Sequence, residues 1–180
     1  KIQVKIVEVT SPSGVTKKGV MLDVLDYFDL PGNAQDQVKK FEKMYFKKVK
    51  ESQKIFPKKR TERKASHFWK MGNLLYNFNK SIKNEFEITN FNQAIIRDFG
   101  LYNRSVVGHT LQFGEYFKEK DVDDKISMSH YMELIWKANI LKDMGELESE
   151  KKRLLKMSKT KTLPSHKEYR EELNNLTKIP

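Results

Sequence analysis

Apolar and polar positions alternate at the start of the chain: Ile2, Val4 and Ile6 are separated by polar residues, and Ser11-Pro12-Ser13-Gly14 follows. A period of two that runs into turn residues predicts a short strand ending in a turn. Val20, Met21, Val24, Leu25 and Phe28 then recur at helical spacing until Pro31-Gly32, which predicts a short helix. From Asn33 to about Phe56 the apolar residues Val38, Phe41, Tyr45, Val49 and Phe56 fall on one stripe, with Lys39, Lys40, Lys43, Lys47, Lys50 and Lys54 around the rest. That pattern predicts a long amphipathic basic helix, ended by Pro57.

The next stretch, PKKRTERKAS (57–66), has no apolar residue beyond Ala65 and reads as a basic linker or exposed loop. After it, Phe68, Trp69, Leu74, Leu75 and Phe78 predict a helix reaching toward Ile82. A second helix carries Phe91, Ala94, Ile95 and Phe99, with Thr89, Asn90 or Asn92 as its cap and Gly100 as its left-handed stop. Asn103 can cap a third, which runs through Val106, Val107, Leu111 and Phe113 to about Phe117. Aspartates 121, 123 and 124 precede a fourth through Met132, Leu134, Ile135, Trp136 and Leu141. A fifth, GELESEKKRLLKM (145–157), sets acids first and bases last, as the helix dipole favours. The remainder is a polar tail in which residues 164–176 could form one short helix.

These elements predict a mainly α fold: a helical domain with a helix-turn-helix-like core, preceded by a long basic helix and a short N-terminal β element. The expected divisions are 1–56 for the N-terminal arm, 57–66 for the linker, 67–157 for the helical domain and 158–180 for the tail. At 180 residues the chain can bury roughly 70% of its unfolded surface without staples. It has no cysteine, which excludes disulfides, thiolate zinc sites and cysteine nucleophiles. No apolar run approaches the roughly 18 residues of a membrane span, and the first residues do not form a signal peptide. The expectation is a soluble cytoplasmic protein, nucleoid-associated or free, with no membrane partner. The chain starts at Lys1, not at a methionine, as a processed or trimmed chain would.

Charge changes the picture most. The net charge is +11, and residues 39–70 alone carry 13 basic against 3 acidic side chains. A local field of that kind attracts polyanions, with nucleic acid the leading partner and DNA favoured over RNA. Lys39, Lys40, Lys43, Lys47, Lys50, Lys54, Lys58, Lys59, Arg60, Arg63 and Lys64 are the candidate phosphate contacts. Four such contacts would give a slope of log affinity on log salt near −3.6, or roughly a hundredfold loss over a fourfold rise in salt. Tyr45, Phe46 and Phe56 are interleaved with these cations and could stack on bases, although Tyr45 and Phe56 fit the apolar stripe equally well.

A second candidate is RDFGLYNRSVVGHTLQF (97–113), where Gly100-Leu101-Tyr102-Asn103 has the length and chemistry of a helix-turn-helix connection. In the helix after it, Ser105, Gly108, His109 and Gln112 lie at i, i+3, i+4 and i+7 and form one small polar face. Arg104 stands at the helix start, able to pair with guanine, and Gln112 can make paired hydrogen bonds to adenine. The same letters fit a helix within a core, with Gly108 and Gly114 allowing close packing.

The flanking stretches HFWKMGNLL (67–75) and ISMSHYMELI (126–135) give this pair a setting. Trp69 and Gly72, then Phe99-Gly100 through Gln112-Phe113, then Met128-Ser129-His130-Tyr131 with Leu134, together resemble the N-terminal helical domain of the YhcG-like proteins. The resemblance covers about residues 67–157. Met128 stands where that family has a tryptophan, and the chain lacks the family's PD-(D/E)XK nuclease domain. The resemblance implies a DNA-associated helical domain of mobile-element or defence biology, without catalysis.

Ser129, His130, Tyr131 and Glu133 invite an enzyme reading, but neighbours in a helix point to different faces, so His130 and Tyr131 cannot converge on one atom. Ser127 or Ser129 as an N-cap, Glu133 in the first turn and core bonds from His130 or Tyr131 explain the same letters. His67, His109, His130 and His166 are too far apart in sequence to make a recognisable ligand set, so no metal or cofactor is expected. The expectation is therefore a non-enzymatic nucleic-acid-binding protein, most simply of double-stranded DNA. The alternative is a helical adaptor or assembly subunit that binds an acidic protein or a second copy of itself, and RNA binding is a third.

Overall fold

Ile2, Val4 and Ile6 are buried because strand β1 (Ile2–Thr10) sits in the middle of a three-stranded sheet. Strand β2 (Thr16–Leu22) pairs with it antiparallel and β3 (Phe86–Ile88) pairs parallel, in the order β2-β1-β3. The turn between β1 and β2 closes through the Gly14 N–H to Ser11 O (2.9 Å), with Gly14 at φ 86, a conformation that favours glycine. The structure, a computed structural model, describes residues 1–24 and 30–178.

The short helix expected from Val20 to Phe28 is corrected in its first part. Val20 and Met21 belong to β2, where Val20 faces Ile6 and Met21 faces Lys5, while Leu25 and Phe28 lie outside the described residues. Seven consecutive ladder pairs to β1 outweigh a local helical spacing that had only a few apolar positions to support it.

Helix α1 (Ala34–Ser52) buries Ala34, Val38, Phe41, Tyr45, Val49 and Ser52 along one side. Phe41 meets Phe86 of β3 at 4.8 Å between ring centroids, and the Glu42 carboxylate accepts the Val20 N–H of β2 at 2.8 Å. α1 is thus a core element of the sheet unit, not a free arm. Because the helix ends at Ser52, Phe56 leaves the stripe and packs on Phe68 instead, with ring centroids 5.1 Å apart. In the expected linker, Arg60–Glu62 form a single 3-10 turn, and Ala65 already opens the next helix in a buried position.

That helix is α2 (Ala65–Ile82), followed after β3 by α3 (Phe91–Phe99), α4 (Arg104–Tyr116), α5 (Met128–Asp143), α6 (Leu147–Lys159) and α7 (His166–Leu176). The described residues are mostly helical, with seven α-helices beside the small sheet. They divide into two compact units: residues 1–54 with 77–107, and residues 55–76 with 108–180. The expected boundaries ran consecutively along the chain, whereas these units interleave.

In the sheet unit, β3 is too short to pair with Ile6, and the Asn90 side chain continues the ladder in its place. Asn90 Oδ1 accepts the Ile6 N–H at 3.0 Å and Asn90 Nδ2 donates to Ile6 O at 2.7 Å. Asn90 occupies the N-cap position of α3, yet its side chain makes no cap bond because the strand takes both of its polar ends. α3 stops at Gly100, whose φ is 71.

In the second unit, Gly72 of α2 and Gly114 of α4 let two helix backbones meet: a Cβ on Gly72 would come within 3.0 Å of Gly114 N, and one on Gly114 within 2.5 Å of Asn73 N. Gly108 has open space around it and plays no such part. Trp69 Nε1 donates to Phe117 O at 2.9 Å. The short helix expected within residues 164–176 is α7, and it is packed into the unit, not part of a free polar tail. There α7 buries Tyr169 and Leu173, Tyr169 donates to Glu150 Oε1 (2.9 Å), and Arg170 pairs with the largely buried Glu133 (2.7 Å).

Candidate nucleic-acid interface

Burial of one side of α1 decides where its charges go. At 3.6 residues per turn, Lys39, Lys40, Lys43, Lys47 and Lys50 fall within an arc of about 100° opposite the buried stripe and extend about 16 Å along the axis. All five are exposed. Among the described residues none of them makes an ion pair, while Lys48 on the flank pairs with Glu51 at 3.2 Å. Glu42 is drawn away to the Val20 amide, which leaves Asp36 in the first turn on the ridge side. Lys54 is exposed just past the helix end, in the same unit.

The rotation of α1 is pinned by a buried polar cluster that no short-range signal announces. Tyr45 OH donates to Asp98 Oδ2 at 2.6 Å, across 53 residues of sequence. Asp98 also accepts from Arg97 Nε (2.9 Å) and Nη2 (3.1 Å) and from Lys18 Nζ (3.4 Å). Burial by itself pushes the Asp98 carboxyl up. The bonds from Arg97 and Tyr45, with the charges of Arg97 and Lys18, more than offset this and hold it below the ordinary carboxylate range. The Tyr45 hydroxyl is pushed far up, first by burial and then by the bonded carboxylate. Tyr45 is therefore a fixed donor in the core and not a stacking platform. Phe46, half-buried, lies edge-on to Tyr45 at 5.1 Å.

Arg104 and Ser105 are exposed at the start of α4 and belong to the sheet unit. Asn103 caps this helix as expected, its Oδ1 accepting the Val106 N–H at 3.0 Å. Arg104 borders a cleft of about 530 Å³ with Lys5, Asp23, Asn92 and Gln93.

The remaining candidates belong to the second unit. Lys58, Lys59, Arg60 and Lys64 are exposed there. The Arg63 guanidinium lies over the Phe56 ring at 3.9 Å and is thereby tied to local packing. His109 and Gln112 are half-buried. His109 Nε2 accepts the indole N–H of Trp136. Burial holds its pKa below the ordinary imidazole value, and its Nδ1 is buried with no hydrogen-bond partner among the described residues. The expected small polar face beside Gly108 thus includes a neutral imidazole already engaged by α5, and sequence gave no sign of Trp136 as its partner.

The residues of the enzyme-like stretch are engaged separately. Ser127, not Ser129, is the N-cap of α5. His130 Nδ1 meets Ser127 Oγ at 2.6 Å and its Nε2 meets Pro164 O at 2.7 Å, while Tyr131 OH donates to Asp121 O at 3.0 Å. Glu133 is held by Arg170. Among the described residues no three His, Asp or Glu side chains are grouped to hold a metal ion, and no helix is long and apolar enough to cross a membrane.

Fold and site together define a mostly helical protein with a small mixed sheet and, on its first helix, a ridge of lysines that have no ion-pair partner among the described residues. No protein-family profile, curated protein or solved structure matches the chain.

Proposed function

We propose that this is a non-enzymatic nucleic-acid-binding protein, with double-stranded DNA favoured over RNA and with phosphate contacts made by the lysines of α1. The observation that carries the reading is the ridge itself: five exposed lysines within about 100° of one helix face, with no ion-pair partner among the described residues. Cations without partners are free to displace the counterions of a phosphate backbone, the main source of affinity in such complexes. The resemblance of residues 67–157 to the N-terminal domain of the YhcG-like proteins supports a DNA-associated, defence or mobile-element setting. In this reading α3, the Gly100–Asn103 turn and α4 act as a helix-turn-helix-like core, and Arg104 with Ser105 are the exposed candidates for a groove contact. Gel-shift titration of duplex DNA over a salt series tests it. A dissociation constant weaker than about 100 μM at low salt, or a flat salt response, refutes it.

A second reading, an adaptor or assembly subunit, is favoured by α5 and the residue that caps its C-terminus, where Trp136, Ile140 and Met144 are exposed at i, i+4 and i+8. Chromatography with light scattering separates the two: a stable oligomer free of nucleic acid favours assembly.

A further inference from the structure

We propose that recognition by α1 is confined to phosphates, so that the protein binds duplex nucleic acid without regard to base sequence and prefers duplex to single strands. This rests on the nucleic-acid-binding reading above and narrows its partner. The side chains that define the ridge, Lys39, Lys40, Lys43, Lys47 and Lys50, are all lysine. A lysine ammonium is a point charge on a flexible stem. It meets phosphate oxygens well but lacks the planar paired donors with which arginine, asparagine or glutamine distinguishes base edges.

Single strands are bound tightly when aromatic faces receive successive bases. On α1 all three aromatic side chains are occupied: Phe41 is fully buried against Phe86, Tyr45 is fully buried with its hydroxyl on Asp98, and Phe46 is half-buried against Tyr45. What remains is electrostatic attraction, and it favours the form with more charge per unit length. A duplex presents one phosphate per about 1.7 Å of axis, twice the density of one of its strands.

The helix that could have read bases is impaired for that task. His109 is neutral and bonded to Trp136, and Gln112 is half-buried. Arg104 is exposed, but a single arginine at a helix start contacts a phosphate as readily as a guanine.

The test is fluorescence anisotropy of the full chain with two 20-base-pair duplexes of unrelated sequence and their separated strands, from 50 to 200 mM salt. The expected affinities for the two duplexes agree within about threefold, the strands bind at least tenfold more weakly, and the duplex slope approaches −4.5 if all five lysines contribute. The double variant Lys43→Gln/Lys47→Gln should lower that slope by about 1.8 for both duplexes alike, with an unchanged circular dichroism spectrum. A preference above tenfold for one duplex overturns the inference and leaves nucleic-acid binding standing, as does equal affinity for single strands. Failure to bind any of the probes at 50 mM salt overturns the proposed function itself.

Discussion

Two glycines of α4 make a paired experiment, because one is pressed against a neighbouring backbone and the other faces open space. A Cβ on Gly114 would lie 2.5 Å from Asn73 N and closer still to the Gly72 carbonyl, all backbone atoms that cannot swing aside, whereas a Cβ on Gly108 would meet nothing within 4 Å. Ordinary carbon contacts need about 3.5–4 Å, so Gly114→Ala must push α2 and α4 apart by about 1 Å or more. Overpacking of a rigid contact costs about 3 kcal/mol, and the better helix propensity of alanine returns about 1 kcal/mol, for a net loss near 2 kcal/mol. Gly108→Ala keeps only the gain, about 1 kcal/mol. For a chain of this size, 1 kcal/mol moves Tm by about 2–4 °C, so Gly114→Ala should melt about 4–8 °C lower and Gly108→Ala about 2–4 °C higher than the parent. Thermal unfolding followed by circular dichroism at 222 nm reads both. A Gly114→Ala protein that melts at or above the parent temperature refutes the close approach of the two helices. Adding Gly72→Ala to Gly114→Ala should cost less than the sum of the two, since both act on one contact.

Four further outcomes are expected. Tyr45→Phe removes a hydrogen bond donated to a buried carboxylate and should cost about 1.5–3 kcal/mol in urea unfolding. Because Asp98 titrates lower in the folded chain than in the unfolded one, its contribution is fully present above the unfolded pKa of about 4 and is lost as pH falls through the folded value. Asp98→Asn should therefore unfold more easily than the parent at pH 6, with the gap narrowing below about pH 4. Asn90→Asp deletes the donor to Ile6 O and should cost about 1–3 kcal/mol, with faster hydrogen exchange along β1; unchanged exchange would show that the side chain does not extend the ladder. His109, whose folded pKa is lowered by burial, stabilises fully above about pH 6.5 and progressively less as pH falls through its folded value. An NMR titration should place its midpoint below the ordinary imidazole value, and a midpoint at or above about 6.5 would contradict its burial.

The helical elements of the chain were legible because periodicity and caps are local. Gly100 stops α3 in a left-handed conformation, Asn103 caps α4, and the acids and bases of α6 sit at its proper ends. The stripe of α1 was readable for the same reason, from Val38 to Val49, and with it the arc of lysines. Pairing across distance was not readable. Val20 and Met21 suggested a helix, yet their place in β2 depends on a hairpin partner whose attraction outweighs local spacing. Tyr169 and Leu173 lie in a segment of low hydrophobicity and become core only because Glu150 and Glu133 meet Tyr169 and Arg170 from other helices.

The candidate site divides in the same way. Sequence alone determined that α1 is basic and amphipathic, since a 3.6-residue period sorts side chains before any tertiary contact forms. Tertiary structure decided what that helix is for within the fold: Tyr45 locks to Asp98, Phe41 packs on Phe86, and a predicted arm becomes a core helix with its lysines held outward. It also turned His109 from a polar candidate into a neutral partner of Trp136. The physical reason is range: propensity, capping and charge act within a turn or two of helix, whereas desolvation and buried hydrogen bonds depend on residues tens of positions away. Only the folded chain brings those residues together.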